Sequence, residues 1–545
     1  MSLPTRTIAP VSEETAEVAR AAFPKGNKYM QMRDELGTIY SDDVFADLYP
    51  KEGQPAVRPW RLALVTVMQF AENLSDRQAA DAVRDRIAWK YALSLELTDA
   101  GFDYSVLSEF RQRLLTHDAG QRLLDEMLKV FKTKSYVKAR GQQRTDSTHV
   151  LAVVRELSRL ENVGTTLRHA LNTLAEVVPE WLAAQVSPDW YDRYGPRFEH
   201  YRLPKRRSEQ IELAEIVGQD GVHLLTAVQL ATDKLWLREI PAVETLRQVW
   251  IQQFWCDDGQ VYWRDVQDMP PVGAWIRSPF DTEARYCTKR QAGWVGYKVH
   301  LTETCTADEP SIITQVTTTV ATVQDCQTTT EIQDQLAAAD LLPSEQLVDA
   351  GYVDAERLLS SQNKHAIDLI GPTGQDTSWQ AQTEGGLSQT CFAIDWDKQQ
   401  AVCPAGQSSV AWHHSRSPRD TPVIRISFAA EHCQNCELRS RCTKGKKRGL
   451  TLRPREQHEV LQAARQREQT DTFKKKYRKR AGVEGAISQA ERIGGLRRSR
   501  YCGLEKTHLQ NVAIAAAINL SRLINWLNEV PPAPTRKLRF AKLAA

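Results

Sequence analysis

The stretch QRTDSTHVLAVV (residues 143–154) is rich in β-branched side chains and reads as a strand with an aspartate, Asp146, in its middle. By the two-residue period of a strand, Asp146 shares a face with Val150, Ala152 and Val154. A charge on such a face needs a partner. Working outward, GWVGYKVHLTET (293–304) and SIITQVTTTV (311–320) alternate and predict a hairpin. TTTEIQDQLAAAD predicts a helix. QLVDAG (346–351) predicts a strand ending on Asp349, just before Gly351, followed by a helix over DAERLLSSQ and a strand in HAIDLIGP (365–372). Strand, long insertion, two strands, then helix and strand twice over, predicts an α/β fold: a mixed sheet flanked by helices.

The remaining segments arrange around this core. Residues 1–45 read as a polar, loosely ordered tail. Residues 46–135 have helical periodicity, with Ser75 as a helix N-cap. Arg77, Arg111 and Arg113 either line a helix-turn-helix-like DNA surface or form the wet face of a plain bundle. Residues 136–154, 281–372 and 459–530 make up the predicted core. A helical insertion spans 155–280. A polar, irregular, cysteine-bearing insertion spans 373–458. Residues 459–494 and 506–529 read as helical, and 531–545 as a basic tail.

At 545 residues, 41% hydrophobic and 26% charged, the chain has the composition of a soluble multidomain protein. Its net charge of +3 says little, but the distribution says more. Between Lys474 and Lys506 stand eleven Lys or Arg against three acids, and such a patch favours polyanions. The start of the chain lacks the apolar core of a signal peptide, and no apolar run is long enough to span a membrane; a cytoplasmic, nucleoid-associated protein is expected.

A third acid, Glu484, follows in YRKRAGVEGAIS, beside an apolar helical stripe of Val483, Ala486, Ile487 and Ala490. Gly482 and Gly485 flank it, at some cost to helix propensity, and would permit close approach of a backbone or ligand. Taken singly, each of Asp146, Asp349 and Glu484 fits a structural role as well as a chemical one. Brought together, they could not all stay ionised without a cation. Two like charges ~4 Å apart cost roughly 4 kcal/mol at an effective dielectric of 20. Hard oxygen donors select Mg²⁺ or Mn²⁺, ions suited to in-line attack at phosphorus.

Tyr477, Arg480 and Glu484 match the Tyr-x2-Arg-x3-Glu signature of bacterial insertion-sequence transposases of the DDE type. TDSTHV resembles that family's first-Asp motif and VDAGYVD its second. Residues 40–118 resemble its N-terminal helical domain, and the likeness extends over most of 40–530. The resemblance implies an RNase H-like core and a catalytic, Mg²⁺-binding triad of Asp146, Asp349 and Glu484. It also implies Mg²⁺-dependent cleavage and transfer of DNA strands at terminal inverted repeats, by a homodimer that pairs two ends. A catalytically inactive DNA-binding regulator and a metal-dependent nuclease without strand transfer are the alternatives. Tyr477, Arg480, Arg492, Lys298, Arg497, Arg498 and Arg500 are the expected contacts to double-stranded DNA. The family signature often carries a Lys seven residues after the Glu. Here that position is Glu491, so either Arg492 takes over the phosphate contact or the helix differs in phase. Trp294 reads either as a buried strand tryptophan or as a stacking platform for a displaced base.

Cys403, in CPAG, is followed by Cys433-x2-Cys436-x5-Cys442. Four thiolates suit tetrahedral Zn²⁺, with His413, His414 or His432 as substitutes for one of them, and such a zinc would be structural. Reduced free cysteines are the other reading.

Overall fold

The computed structural model describes residues 2–3, 7–289, 292–418 and 420–531. The basic tail residues Arg536, Lys537, Arg539 and Lys542 lie outside the described residues.

Strand β1 (Gln142–Leu151) is the axis of the molecule. Thirteen strands lie among the described residues, in four sheets. A hairpin of β2 (Phe254–Asp257) and β3 (Gln260–Trp263) belongs to the first insertion. The main sheet takes in β1, β4 (Arg285–Lys289), β5 (Ala292–Thr304), β6 (Ile313–Val320), β7 (Glu345–Leu347) and β8 (Asp368–Ile370). Its order is β4-β5-β1-β7-β8, with β6 on the same edge of β5 as β4. The β4, β5, β6 and β1 pairings are antiparallel; β7 and β8 continue parallel to β1. The predicted hairpin is present, as β5 and β6 pair from Tyr297↔Val320 to Glu303↔Ile313 with an irregularity at Thr302/Glu303. Helix Asp325–Ala338 connects β6 to β7, and helix Ala355–His365 connects β7 to β8. This mixed α/β arrangement is consistent with the RNase H-like core that was expected.

The largest apolar cluster runs without a break from the N-terminal helices through the sheet. The final helix, Leu504–Leu527, joins the two: it is buried on nearly every face, and Asn519 clamps both backbone groups of Ile313 on β6 at 2.7 and 2.8 Å. The expected loose tail over residues 1–45 is therefore corrected. Helices Glu13–Ala22 and Lys28–Leu36 form there, capped by Ser12 and Asn27, and Tyr29, Met32, Leu36 and Phe45 are buried in the main core. Charged residues between these apolar positions mask their spacing in the sequence.

Ser75 caps helix Asp76–Asp85 in a reciprocal capping box with Gln78. Of the three arginines expected on a wet face, Arg77 alone is fully exposed. Arg111 is buried, bonded to Asp76 at 2.5 Å, and lies over the Tyr501 ring; Arg113 bonds the Leu48 carbonyl and covers Tyr49. The segment after β1 closes a core of its own around Leu167, Val217, Leu224 and Trp250. The cysteine-bearing stretch is more regular than expected. It holds β9 (Ala393–Asp395) paired with β10 (Gln400–Val402), and a sheet of β11 (Ala411–Arg416), β12 (Pro422–Ser427) and β13 (Gly449–Leu452). The helical end expected over 459–494 is broken into helices Arg455–Glu468, Asp471–Tyr477 and Gly482–Gly494, with a 3-10 turn at Arg478–Ala481.

Candidate active site

The register of β1 with β7 brings two distant aspartates together. Gln142 lies opposite Glu345 and Arg144 opposite Leu347. The same offset carried two residues past the end of β7 sets Asp349 beside Asp146, at the spacing of neighbouring strands. Asp146 is 6% exposed, and the Ser147 amide donates to its Oδ1 at 2.8 Å. Asp349 caps the 3-10 turn Ala350–Tyr352, accepting from the Gly351 amide at 2.8 Å.

The third acid arrives on a helix. Val483, Ala486, Ile487 and Ala490 are buried, as their spacing predicted, and Glu484 stands at the edge of that stripe with its side chain 70% exposed. The 3-10 turn just before this helix places Arg480 among all three acids. Its Nη2 lies 2.6 Å from Asp146 Oδ2 and 3.8 Å from Asp349 Oδ2, while Nη1 lies 3.7 Å from Glu484 Oε1. One guanidinium thus collects the whole trio. Its Nε is buried and has no hydrogen-bond partner.

Burial raises the pKa of the Asp146 carboxyl; Arg480 opposes the rise and the Asp349 charge adds to it. Burial also works against the Arg480 charge, but Asp146, Tyr477, Asp349 and Glu484 together hold it more firmly protonated. Tyr477 is half-buried and stacks on Phe473 at 5.5 Å, and burial raises its hydroxyl pKa.

The other expected DNA contacts are spread out. Lys298 is already committed: its ammonium donates to the Val323 carbonyl at 2.7 Å and to Asp325 at 3.0 Å. Arg500 ties the C-terminal segment to the N-terminal bundle through Asn73, the Leu74 carbonyl and the Phe70 ring. Arg497 bonds Thr148 on β1 at 3.1 Å, whereas Arg492 and Arg498 are exposed. Glu491, where the motif led us to expect Lys, accepts from the Arg497 amide at 2.7 Å and fastens the end of its helix. Trp294 is buried, its indole donating to the Tyr297 carbonyl.

A polar group that the sequence did not point to packs beside the trio. Asp325, first residue of its helix, bonds Lys298 and accepts from Ser147 Oγ at 3.3 Å. His300 meets the Tyr352 hydroxyl at 2.6 Å; burial pushes its pKa down to about 4, so it is neutral at physiological pH. Asp325 lies three residues before the predicted helix TTTEIQDQLAAAD, and no sequence signal pointed to it.

Cys403, Cys433, Cys436 and Cys442 all line one small cavity of about 30 Å³. Among the described residues, no three His, Cys, Asp or Glu side chains are arranged to hold a metal ion as they stand. At the carboxylates the reason is visible, since the Arg480 charge lies where a cation would be shared. The donor set itself, three carboxylates and no sulfur or imidazole, suits a hard divalent ion.

The mixed α/β sheet is consistent with an RNase H-like core, and Asp146 on β1, Asp349 just past β7 and Glu484 on a following helix gather at its edge. Two family models match the chain: a Transposase DDE domain over residues 402–524 and a Transposase domain (DUF772) over residues 17–113. Together they indicate an insertion-sequence transposase of the DDE type, an enzyme acting on DNA and dependent in general on divalent metal. The first match includes Tyr477, Arg480 and Glu484 but neither aspartate; the second begins inside the stretch first read as a tail. No curated protein matches the chain. No helix among the described residues is long and apolar enough to cross a membrane.

Proposed function

We propose that this transposase cuts and rejoins DNA strands at the terminal inverted repeats of an insertion sequence, with Asp146, Asp349 and Glu484 as its catalytic carboxylates and Mg²⁺ or Mn²⁺ as its cofactor. The observation that carries this reading is the gathering of the three acids, from three separate segments, around the single Arg480 guanidinium within 4 Å. A bound divalent ion supplies Lewis acidity for the attacking oxygen and charge relief for the leaving one. The chain supplies the rest. Asp146 is held by strand pairing and the Ser147 amide, and Asp349, just past β7, by the Gly351 amide, so their donor oxygens are preset. Glu484 comes from the solvent side.

Arg480 offsets one of the three carboxylate charges before DNA arrives. With a divalent ion held by Asp146, Asp349 and Glu484, the Arg480 guanidinium would be free to grip a phosphate through paired hydrogen bonds. Tyr477, Arg492, Arg497 and Arg498 supply the further phosphate contacts. Lys298 and Arg500, being committed inside the protein, act on DNA only through the groups they hold. The helical bundle over 46–135, with the two preceding helices, is the proposed end-binding domain. A homodimer pairs the two ends, and the protein works in the cytoplasm at the nucleoid.

The test is to incubate the full chain with labelled inverted-repeat DNA and Mg²⁺. Nicked and joined products are expected. Binding without nicking would favour an inactive regulator, and nicking without joining a nuclease.

A further inference from the structure

We propose that Cys403, Cys433, Cys436 and Cys442 form a structural Zn²⁺ site that pins the loops of the small sheet β11-β12-β13 to the end of β10. The four sulfurs come from two connections, Cys403 from the one after β10 and the other three from the one between β12 and β13, and line one cavity. Cys403 follows β10 in a tight turn closed by the Gly406 amide on the Cys403 carbonyl at 2.8 Å. Gly406 has φ +78°, a conformation that favours glycine, and the turn aims the Gln407 amide at Cys403 Sγ at 3.4 Å. A second amide, that of Arg448 just before β13, points at Cys433 Sγ at 3.4 Å. Cys433 and Cys442 sit on two short helices, Ala430–Gln434 and Arg439–Cys442, and Cys436 lies between them.

Amide hydrogens directed at sulfur stabilise thiolate rather than thiol, and they are the supporting bonds that orient a metal's sulfur ligands. Four sulfurs without oxygen donors select zinc. None of the four is in a disulfide.

The energetic need is also present. The apolar core of this region consists of Phe392, Ala401, Ile424, Ile426, Phe428, Leu450 and Leu452, slim support for five short strands and their loops. Small units with slim cores depend on staples. Closure asks the thiols to lose their protons and turn onto the cavity they already line. That step couples metal binding to the order of the loops.

The experiment uses the full chain, purified without chelator. Elemental analysis should find about one zinc per chain, and cobalt replacement should give thiolate-to-metal charge-transfer absorption. Cys403→Ser and Cys436→Ser should each lower bound zinc to below about a tenth of an equivalent, while Cys391→Ser and Cys502→Ser keep it. Variants that fail to fold are covered by wild-type protein alone. Alkylation mapped by mass spectrometry should spare the four cysteines until a chelator is added, while Cys256, Cys391 and Cys502 react throughout. Wild type without zinc, a Cys433–Cys436 disulfide, or equal alkylation with and without chelator would overturn the site. None of these readouts involves DNA cleavage, so they stand or fall separately from the catalytic proposal.

Discussion

Asp146 and Glu484 reach the same guanidinium from opposite kinds of structure. Asp146 lies mid-strand, its backbone paired to β5 through Leu301 and its side chain buried. Glu484 rides on a helix entered through a 3-10 turn and keeps most of its side chain in solvent. The sheet half of the site is thus built in advance, and the helix half is packed against it by its buried stripe and by Arg144, with Arg480 as the link among the acids. Pre-set donors save reorganisation when a charged substrate arrives. Under the proposed function, an exposed third donor would leave room for DNA and metal to enter.

The sharpest way to break this comparison is to remove each acid. Asp146→Ala, Asp349→Ala and Glu484→Ala should each lower Mg²⁺-dependent nicking by about 10³-fold or more while DNA binding stays. A Glu484→Ala protein that still cuts at near wild-type rate would show that the two halves do not form one site.

How far the sequence announced this arrangement differs between the halves. β1 and the β5/β6 hairpin were legible because β-branched residues alternate there. The burial of Val483, Ala486, Ile487 and Ala490 was legible from helical spacing. What no spacing could give was the β1/β7 register, because parallel neighbours are set by contacts between remote segments. That register is what places Asp349 beside Asp146. The hub role of Arg480 was hidden for a related reason, since a 3-10 turn, not a continuous helix, aims it. That Lys298 is bonded to Val323 and Asp325 was not legible, because those partners lie in a loop and a helix start that carry no pattern. The N-terminal helices were missed because acidic and basic residues interrupt their apolar stripe.

Arg480→Ala tests whether one charge joins the halves. Removing it leaves the buried Asp146 carboxylate unpaired. The stability loss should fall somewhat below the roughly 3–5 kcal/mol typical of a fully buried pair, because both groups keep some solvent contact. Mg²⁺ should recover much of that loss, read as a shift in denaturation midpoint larger than in wild type. Equal Mg²⁺ response in the two proteins would remove Arg480 from the cation's place.

A gentler probe is the Asp146 charge. Its folded pKa is raised, so within the window between the unfolded value and the folded one the folded state takes up a proton that the unfolded state does not. The ionised carboxylate therefore costs stability above its folded pKa, and that cost disappears as pH falls toward the unfolded value of about 3.9. Metal-free Asp146→Asn should be more stable than wild type at neutral pH, with the gain fading in acid. Glu484→Gln, at an exposed position, should change stability by less than about 0.5 kcal/mol at any pH. Matching pH profiles for the two variants would erase the distinction between halves.

The narrowest comparison is between two glycines on the Glu484 helix. A Cβ at Gly482 would lie 1.9 Å from Arg144 Nη1. Arg144 belongs to β1 and cannot retreat freely, since it bonds the Lys479 carbonyl and the fully buried Glu303, each at 2.7 Å. Gly482→Ala should therefore pry the helix from the sheet, costing about 1–3 kcal/mol and lowering cleavage with it. Around Gly485 nothing lies within 4 Å of an added Cβ. Gly485→Ala should stabilise the free protein by about 0.5–1 kcal/mol through helix propensity alone. If Gly482→Ala proved as benign in urea denaturation as Gly485→Ala, the close seam between helix and β1 would lose its role in setting Glu484.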